Sequence, residues 1–253
     1  MARVLDLNAD LGEGFGRWTL TDDEALLAVV TSANVACGFH AGDPSTMRRV
    51  CAAAVTAGVA IGAQVGYRDL AGFGRRDIAY RADELAADVL YQLAALDGIA
   101  RSHGGRVTYL KPHGALYHRT AVDPAQAGAV VEAVGVYDPS LPVLTLSGSV
   151  LAELARAAGL TVVEEVFADR GYLADGRLTS RGEPGAVVTD PAAVAARVVR
   201  LAADGVIDAV DGTLLPVSAR SVCVHGDSPS AVEVARAVRA ALEAEGVTVA
   251  AFT

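Results

Sequence analysis

Val107-Thr-Tyr-Leu-Lys-Pro-His-Gly-Ala-Leu-Tyr-His118 is the stretch from which the fold can be read. Its first half, with Val107, Tyr109 and Leu110, has the length and composition of a buried strand. The run ends on two ionisable residues, Lys111 and His113, where an apolar strand would give way to a loop. Lys111 is the single lysine of the chain, against twenty arginines. An ammonium is a compact point charge with a shiftable pKa, whereas guanidinium is a planar fork that stays protonated. A composition that uses arginine everywhere else therefore marks position 111 as one that needs a point charge.

The same arrangement, a short apolar run closed by polar residues, recurs outward in both directions. Strands are predicted at Val4–Leu7, Ala33–Cys37, Ala60–Val65, Val107–Lys111, Val143–Leu146, Val162–Phe167 and Val222–Val224, with a further extended segment at Ala186–Val188 that has no fixed place in the order. Between them lie helical signals. Thr21-Asp-Asp-Glu24 has the form of a capping box. Asp43-Pro44, Asp123-Pro124, Asp190-Pro191 and Ser228-Pro229 each set a capping oxygen before a proline suited to the first helical position. From Ala82 to His103, Leu85, Val89, Leu93 and Leu96 repeat on one helical face. The strands read as apolar on both faces, which calls for cover on both sides or for a filled interior. No linker or low-complexity run divides the 253 residues. These signals together predict one domain over residues 1–253, a (β/α) barrel of about seven parallel strands, in preference to an open doubly wound sheet.

Strand by strand, the residues that close the runs are Asn8, Asp10 and Glu13; His40 and Asp43; Gln64 and Tyr67; Lys111 and His113; Ser147 and Ser149; Asp169 and Arg170; His225 and Asp227. A parallel barrel gathers all these ends on one face, the face that carries active sites in such folds. Some of them have plainer roles. Asp43 reads as a helix cap, His40 serves equally well as a hydrogen-bonded structural residue, His103 answers a helix C-terminus, and His118 reads as exposed. Cys37 and Cys223 read as small core residues.

Several function classes are disfavoured. A net charge of -9 and a pI near 5.0 oppose non-specific binding to nucleic acid or to an anionic membrane. Cys37, Cys51 and Cys223 are odd in number and widely spaced, so neither a disulfide framework nor a thiolate zinc site is indicated. Asp6 interrupts any secretory h-region, and Val50–Ile61 is too short to span a bilayer, so a cytoplasmic protein is expected. Gly12-Glu-Gly-Phe-Gly16 lacks dinucleotide spacing because Arg17 stands where the third glycine belongs. Phosphate-loop, Gly-x-Ser-x-Gly and His-Glu-x-x-His motifs are absent.

Six blocks carry a resemblance: Asp6-Leu-Asn-Ala-Asp-Leu-Gly-Glu-Gly14, Ala33-Asn-Val-Ala-Cys-Gly-Phe-His-Ala-Gly-Asp43, Gly62-Ala-Gln-Val-Gly-Tyr-Arg-Asp69, Leu110-Lys-Pro-His-Gly-Ala-Leu-Tyr117, Phe167-Ala-Asp-Arg-Gly-Tyr172 and Val224-His-Gly-Asp-Ser228. In this order, over most of the chain, they resemble the LamB/YcsF family. The resemblance implies a barrel related to the glycoside hydrolase and deacetylase group. It also implies ATP-dependent opening of the lactam ring of 5-oxo-L-proline to L-glutamate, in a complex with B and C subunits of a 5-oxoprolinase. Some barrel relatives hold a divalent metal with an aspartate and histidines, for which Asp10, His40 and His113 are the matching residues. A lactam carbonyl is a poor electrophile, and phosphorylation of its oxygen by ATP would activate it toward water. On that chemistry, Asp10 or Glu13 is the general base, and Lys111 and His113 face the oxygen or phosphoryl group that gains charge. Arg170, oriented by Asp169, receives the substrate carboxylate. Asn8, His40, Gln64, Tyr67 and His225 complete the expected substrate contacts. Two other readings are a metal-dependent amide or glycoside hydrolase, deacetylase-like and acting alone, and a non-catalytic substrate-binding subunit.

Overall fold

The computed structural model describes residues 3–228 and 230–253. Six strands, β1 (Val4–Leu11), β2 (Ser32–Ala36), β3 (Ala60–Val65), β4 (Val107–Pro112), β5 (Val143–Leu146) and β6 (Val162–Phe167), run parallel in chain order. A short antiparallel pair, β7 (Val206–Asp208) and β8 (Leu214–Pro216), stands apart, and β9 (Ser221–Val224) then completes a seven-stranded parallel barrel. Closure is direct, because β9 pairs with β6 on one side and with β1 on the other. The predicted architecture is therefore the observed one.

Helices α1 (Asp23–Leu27), α2 (Pro44–Ala57), α3 (Ala82–Ser102), α4 (Gly114–Thr120), α5 (Pro124–Tyr137), α6 (Val150–Ala157), α7 (Pro191–Asp204) and α8 (Ala231–Ala244) accompany the strands. Their boundaries follow from local chemistry. Asp43 accepts from the backbone N–H of Ser45 and Thr46, and Pro44 occupies the first turn of α2. Asp123 and Asp190 do the same for α5 and α7. Of the fourth such pair, Pro229 lies outside the described residues, and α8 starts at Ala231. The cap of α1 is Asp22 rather than Thr21; Asp22 accepts from Ala25 N–H, while Thr21 donates its hydroxyl to Asp23. Leu85, Val89, Leu93 and Leu96 of α3 are all fully buried, as their spacing requires.

One expectation fails in an instructive way. The strands are not apolar on both faces. On β1 the side chains alternate, so Leu5, Leu7, Ala9 and Leu11 join the core under the helices while Asp6, Asn8 and Asp10 share the other face. That inner face is largely polar. Ser32 and Asn34 of β2, Gln64 of β3, Lys111 of β4, Glu165 of β6, and Ser221 and Cys223 of β9 meet there through hydrogen bonds or register. Tyr109 fills the middle. A Cβ on Gly62 would stand 2.1 Å from its ring, so glycine is the residue that lets the ring cross the barrel and donate to Asn34 Oδ1 at 2.7 Å.

Two features lie outside the sequence reading. Between β6 and β9 the chain makes a long excursion: a loop through residues 168–190, then α7, then the β7–β8 hairpin. The segment Ala186–Val188 belongs to that loop, bridging Arg170 through Val187, and is no barrel strand. Finally β10 (Thr248–Val249) extends the sheet beside the start of β1. No helix among the described residues is long and apolar enough to cross a membrane.

Candidate active site

The ends of the strands surround a cavity of about 510 Å³ at one mouth of the barrel. Asp10, Lys111, His113, Arg170 and His225 line it, five of the residues singled out by their position after apolar runs. Phe167, Leu173 and Leu178 give it apolar walls, and Arg75, Tyr117, His118, Arg177 and Arg181 add polar ones.

Lys111 is organised from below. Its Nζ donates to Glu165 Oε2 at 2.9 Å, to Cys223 Sγ at 3.1 Å and to Asn8 Oδ1 at 3.3 Å, and lies 3.6 Å from Asp10 Oδ1. Burial opposes the charge, but the neighbours Cys223, Glu165 and Asp10 outweigh it and raise the lysine pKa well above its usual range. Burial drives the Cys223 thiol well up. A point cation is thus held at the floor of the cavity. The Nζ also sits 4.9 Å from the centre of the Phe167 ring.

Glu13 and His40, behind the cavity wall, form a second, buried cluster with the wall residue His113. Their donor atoms all lie within 4.8 Å of one another, and His113 Nε2 is 3.7 Å from Glu13 Oε1. The two imidazoles stack with centroids 4.1 Å apart. Burial lowers the His40 pKa to about 4, and burial with the neighbouring His40 lowers that of His113 well below its ordinary value. Burial, then the nearby Asp10 charge, raises the Glu13 carboxyl well above its usual range. All three favour their uncharged forms. Glu13 Oε1, His40 Nδ1 and His113 Nδ1 are buried without a hydrogen-bond partner, as is Gln64 Nε2. Such a concentration of unsatisfied atoms asks for a further group. Two imidazoles and a carboxylate suit a divalent ion such as zinc in number and kind. The rings lie within 18° of parallel, so both would reach one ion only if one of them tilts. The carboxylate of this cluster is Glu13; Asp10, the residue implied by resemblance, instead accepts from Asn34 at 2.9 Å and faces Lys111.

His225 is fixed differently. Its Nδ1 pairs with both oxygens of Asp169 at 2.9 and 3.0 Å, and its ring stacks on Phe167. Burial would raise the Asp169 pKa, but His225 outweighs it and the carboxylate stays low. The imidazole thereby keeps Nε2 as its uncommitted nitrogen.

Other predicted contacts are placed elsewhere. Asn8 is fully buried and committed to Ser221, Asn34, Glu165 and Lys111. His40 and Gln64 pair with each other at 3.1 Å, and neither borders the cavity. Tyr67 leaves the site altogether: it stacks on Tyr80 and donates its hydroxyl to Gln126 of α5. Arg170 borders the cavity but is not oriented by Asp169, because its Nε and one terminal nitrogen donate to the carbonyls of Ala186 and Thr179. Glu165 escapes the strand-end pattern, although an acid inside the apolar run Val162–Phe167 is a visible signal. Tyr117 and Arg181 carry none. His118, read as an exposed bystander, is exposed and lines the cavity.

With this geometry in place, comparison with known proteins is specific. A model of the LamB/YcsF family matches residues 5–253. The chain is 65% identical over 249 residues to the 5-oxoprolinase A subunit of Streptomyces avermitilis, covering 98% of this chain and 100% of that protein. It is 46% identical to the lactam utilization protein from Thermus thermophilus, whose crystal structure superposes with a TM-score of 0.93 over 98% of this chain and 99% of that one. The catalytic domain of a peptidoglycan N-acetylglucosamine deacetylase from Eubacterium rectale shares the barrel alone, with 12% identity and a TM-score of 0.52 over 100% of this chain and 90% of that one. The family match and the identities extend over nearly the whole chain, and the chain belongs to the LamB/YcsF family.

Proposed function

We propose that this chain opens the lactam ring of 5-oxo-L-proline as one component of an ATP-dependent 5-oxoprolinase that also contains B and C subunits. The observation that carries the reading is the cavity itself, where a carboxylate, a buried ammonium and three imidazoles meet at one barrel mouth. The names of its relatives, lactam utilization protein and 5-oxoprolinase A subunit, supply the substrate class.

The reaction needs an activated carbonyl, a deprotonated water, a protonated leaving nitrogen and a second water, because expelling the ring nitrogen from the phosphorylated tetrahedral carbon leaves an acyl phosphate whose hydrolysis releases glutamate and phosphate. ATP, used within the complex, activates the carbonyl by phosphorylating the amide oxygen. Asp10 is the base for water. It borders the cavity, and its Oδ2 takes no hydrogen bond among the described residues. Glu13, whose carboxyl burial raises well above its usual range, does not border the cavity, so the role falls to Asp10. Lys111, whose three protons are taken by Glu165, Cys223 and Asn8, acts on the oxygen that gains negative charge through its fixed positive charge, with His113 beside it. His225, with Nδ1 held by Asp169, delivers the proton that the ring nitrogen requires on leaving. A divalent ion held by Glu13, His40 and His113 would supply Lewis-acid polarisation beside this site.

The test is glutamate formation from 5-oxoproline and ATP by the assembled subunits, with wild type and Lys111→Arg compared. The reading predicts ATP-dependent product with wild type and a loss of roughly tenfold or more with arginine, whose fork cannot occupy the pocket of a point charge. No product with any partner present would overturn it. The metal-dependent alternative rests on the orphaned atoms of the histidine cluster. It predicts ATP-independent amide hydrolysis that a chelator abolishes.

A further inference from the structure

Arg170 is in an unusual position for a buried cation. It is 2% exposed, yet its guanidinium is satisfied only by the carbonyls of Ala186 and Thr179. The adjacent Asp169 carboxylate is taken by His225. Burial and then the nearby Arg181 push the Arg170 pKa down to about 10. A buried guanidinium held by dipoles and facing a second guanidinium is short of negative charge.

Arg181 stands on the same cavity wall, in the loop that Arg170 braces from within. The other rim arginines are engaged: Arg75 pairs with Asp227, and Arg177 with Asp175. Arg181 makes no ion pair and no side-chain hydrogen bond among the described residues. Among the described residues the sole acid on the cavity wall is Asp10, which faces Lys111 at the floor. The rim is therefore cationic in a chain whose net charge is -9.

We propose that Arg181, backed by Arg170, is an anion subsite that receives the carboxylate of the substrate while the lactam carbonyl lies at Lys111 and His113. This rests on the reading of the chain as a lactam-opening component. The planar fork of Arg181 matches a carboxylate in two parallel hydrogen bonds. Arg170 is a positioning residue: its two bonds to the 170–186 loop hold Arg181 over the cavity. The apolar wall of Phe167, Leu173 and Leu178 suits the methylenes of a small ring.

The experiment uses the assembled enzyme. Wild type, Arg181→Ala and Arg181→Lys are assayed for glutamate formation across 5-oxoproline concentrations, with 2-pyrrolidinone, the same lactam without its carboxylate, as a competitive inhibitor. Arg181→Ala is expected to raise KM for 5-oxoproline roughly 10- to 100-fold, the range of a charge-assisted hydrogen bond. The loss should fall on KM rather than kcat, the lysine variant should be intermediate, and the inhibition constant of 2-pyrrolidinone should be unchanged. An unchanged KM in Arg181→Ala overturns the subsite. So does a variant that weakens 2-pyrrolidinone equally. If Arg181→Ala instead raises KM for ATP, the subsite serves a phosphoryl group and the carboxylate assignment is wrong. Absence of glutamate formation by wild type refutes the lactam-opening reading, and the subsite with it.

Discussion

The base and the mouth of the barrel are built from the same kinds of residue, yet they are finished differently. At the base, Asp6 accepts from Thr31 and Ser32 at 2.6 Å each and from Ser221, and Ser221 in turn accepts from Asn8 at 2.7 Å. At the mouth, Glu13, His40, Gln64 and His113 each keep a buried atom with no partner, and Arg181, whose charge reaches Asp227, makes no direct ion pair among the described residues. A satisfied buried network specifies and rigidifies a core, whereas an unsatisfied one costs stability and persists where a ligand completes it. The polar interior is thus one continuous structure, satisfied around Asp6 and open toward the rim, and the unpartnered Glu165 Oε1 beside Lys111 already belongs to the open part.

Removing Lys111 should have the largest effect on stability. Lys111→Ala leaves Glu165 buried without its cation, and breaking a buried pair in this way costs about 3–5 kcal/mol. Urea unfolding measures it; a loss below about 1 kcal/mol would mean that the barrel floor does not depend on the pair.

A smaller effect probes the mouth through pH. An unfolded histidine titrates near 6.5, whereas burial lowers His40 to about 4 and His113 well below its ordinary value. Between those values the unfolded chain binds protons that the folded chain refuses. Stability is therefore complete above about pH 6.5 and falls as the pH drops toward 4, by up to about 1.4 kcal/mol per histidine per pH unit. Glu13, held protonated, acts in the opposite direction, so the measurement is best made on metal-free Glu13→Gln. Desolvation by the cavity wall lowers His118 to about 4 as well, so His40→Gln in that background should reduce the slope of unfolding free energy between about pH 6 and 5 by roughly a third. An identical slope would show that His40 is not held neutral.

The base gives the next contrast. Ser221→Ala removes a donor to Asp6 and an acceptor for Asn8, at a cost of roughly 1–3 kcal/mol. Turnover at a temperature where the variant is folded should match wild type, since nothing at the base borders the cavity. Similar in size is a packing test in the middle layer. Gly62→Ala would drive a methyl into the Tyr109 ring and cost about 1–3 kcal/mol by overpacking. Tyr109→Phe, which removes only the hydroxyl bonded to Asn34, separates the hydrogen bond from the packing.

Much of this is legible in the residues, and the exceptions have physical causes. Apolar runs give β3, β5 and β6 their ends, because such strands are bounded by turn and cap chemistry that is local in sequence. The Asp-Pro pairs place α2, α5 and α7 for the same reason. The polar inner face is hidden, since the first apolar run stops at Leu7 and the alternation Asp6, Asn8, Asp10 continues past it. Position after a strand brings Asp10, Lys111 and His113 together, but does not say which way a side chain turns. Tyr67 points among the helices, where Gln126 and Tyr80 receive it. Arg170 is committed to carbonyls nine and sixteen residues away, a closure that no local pattern announces. Two-residue β10 and the three-residue strands β7 and β8 are shorter than any periodicity can mark.

The division between base and rim stands or falls on Asp10, the acid on the cavity wall. Asp10→Asn keeps the size of the side chain, so the melting temperature should stay within a few degrees of wild type. The deciding measurement is the rate of ATP-dependent glutamate formation from 5-oxoproline by the assembled subunits carrying this variant. Loss of the base predicts a fall of roughly 10²- to 10⁴-fold, and a rate equal to that of wild type would contradict ring opening at this mouth.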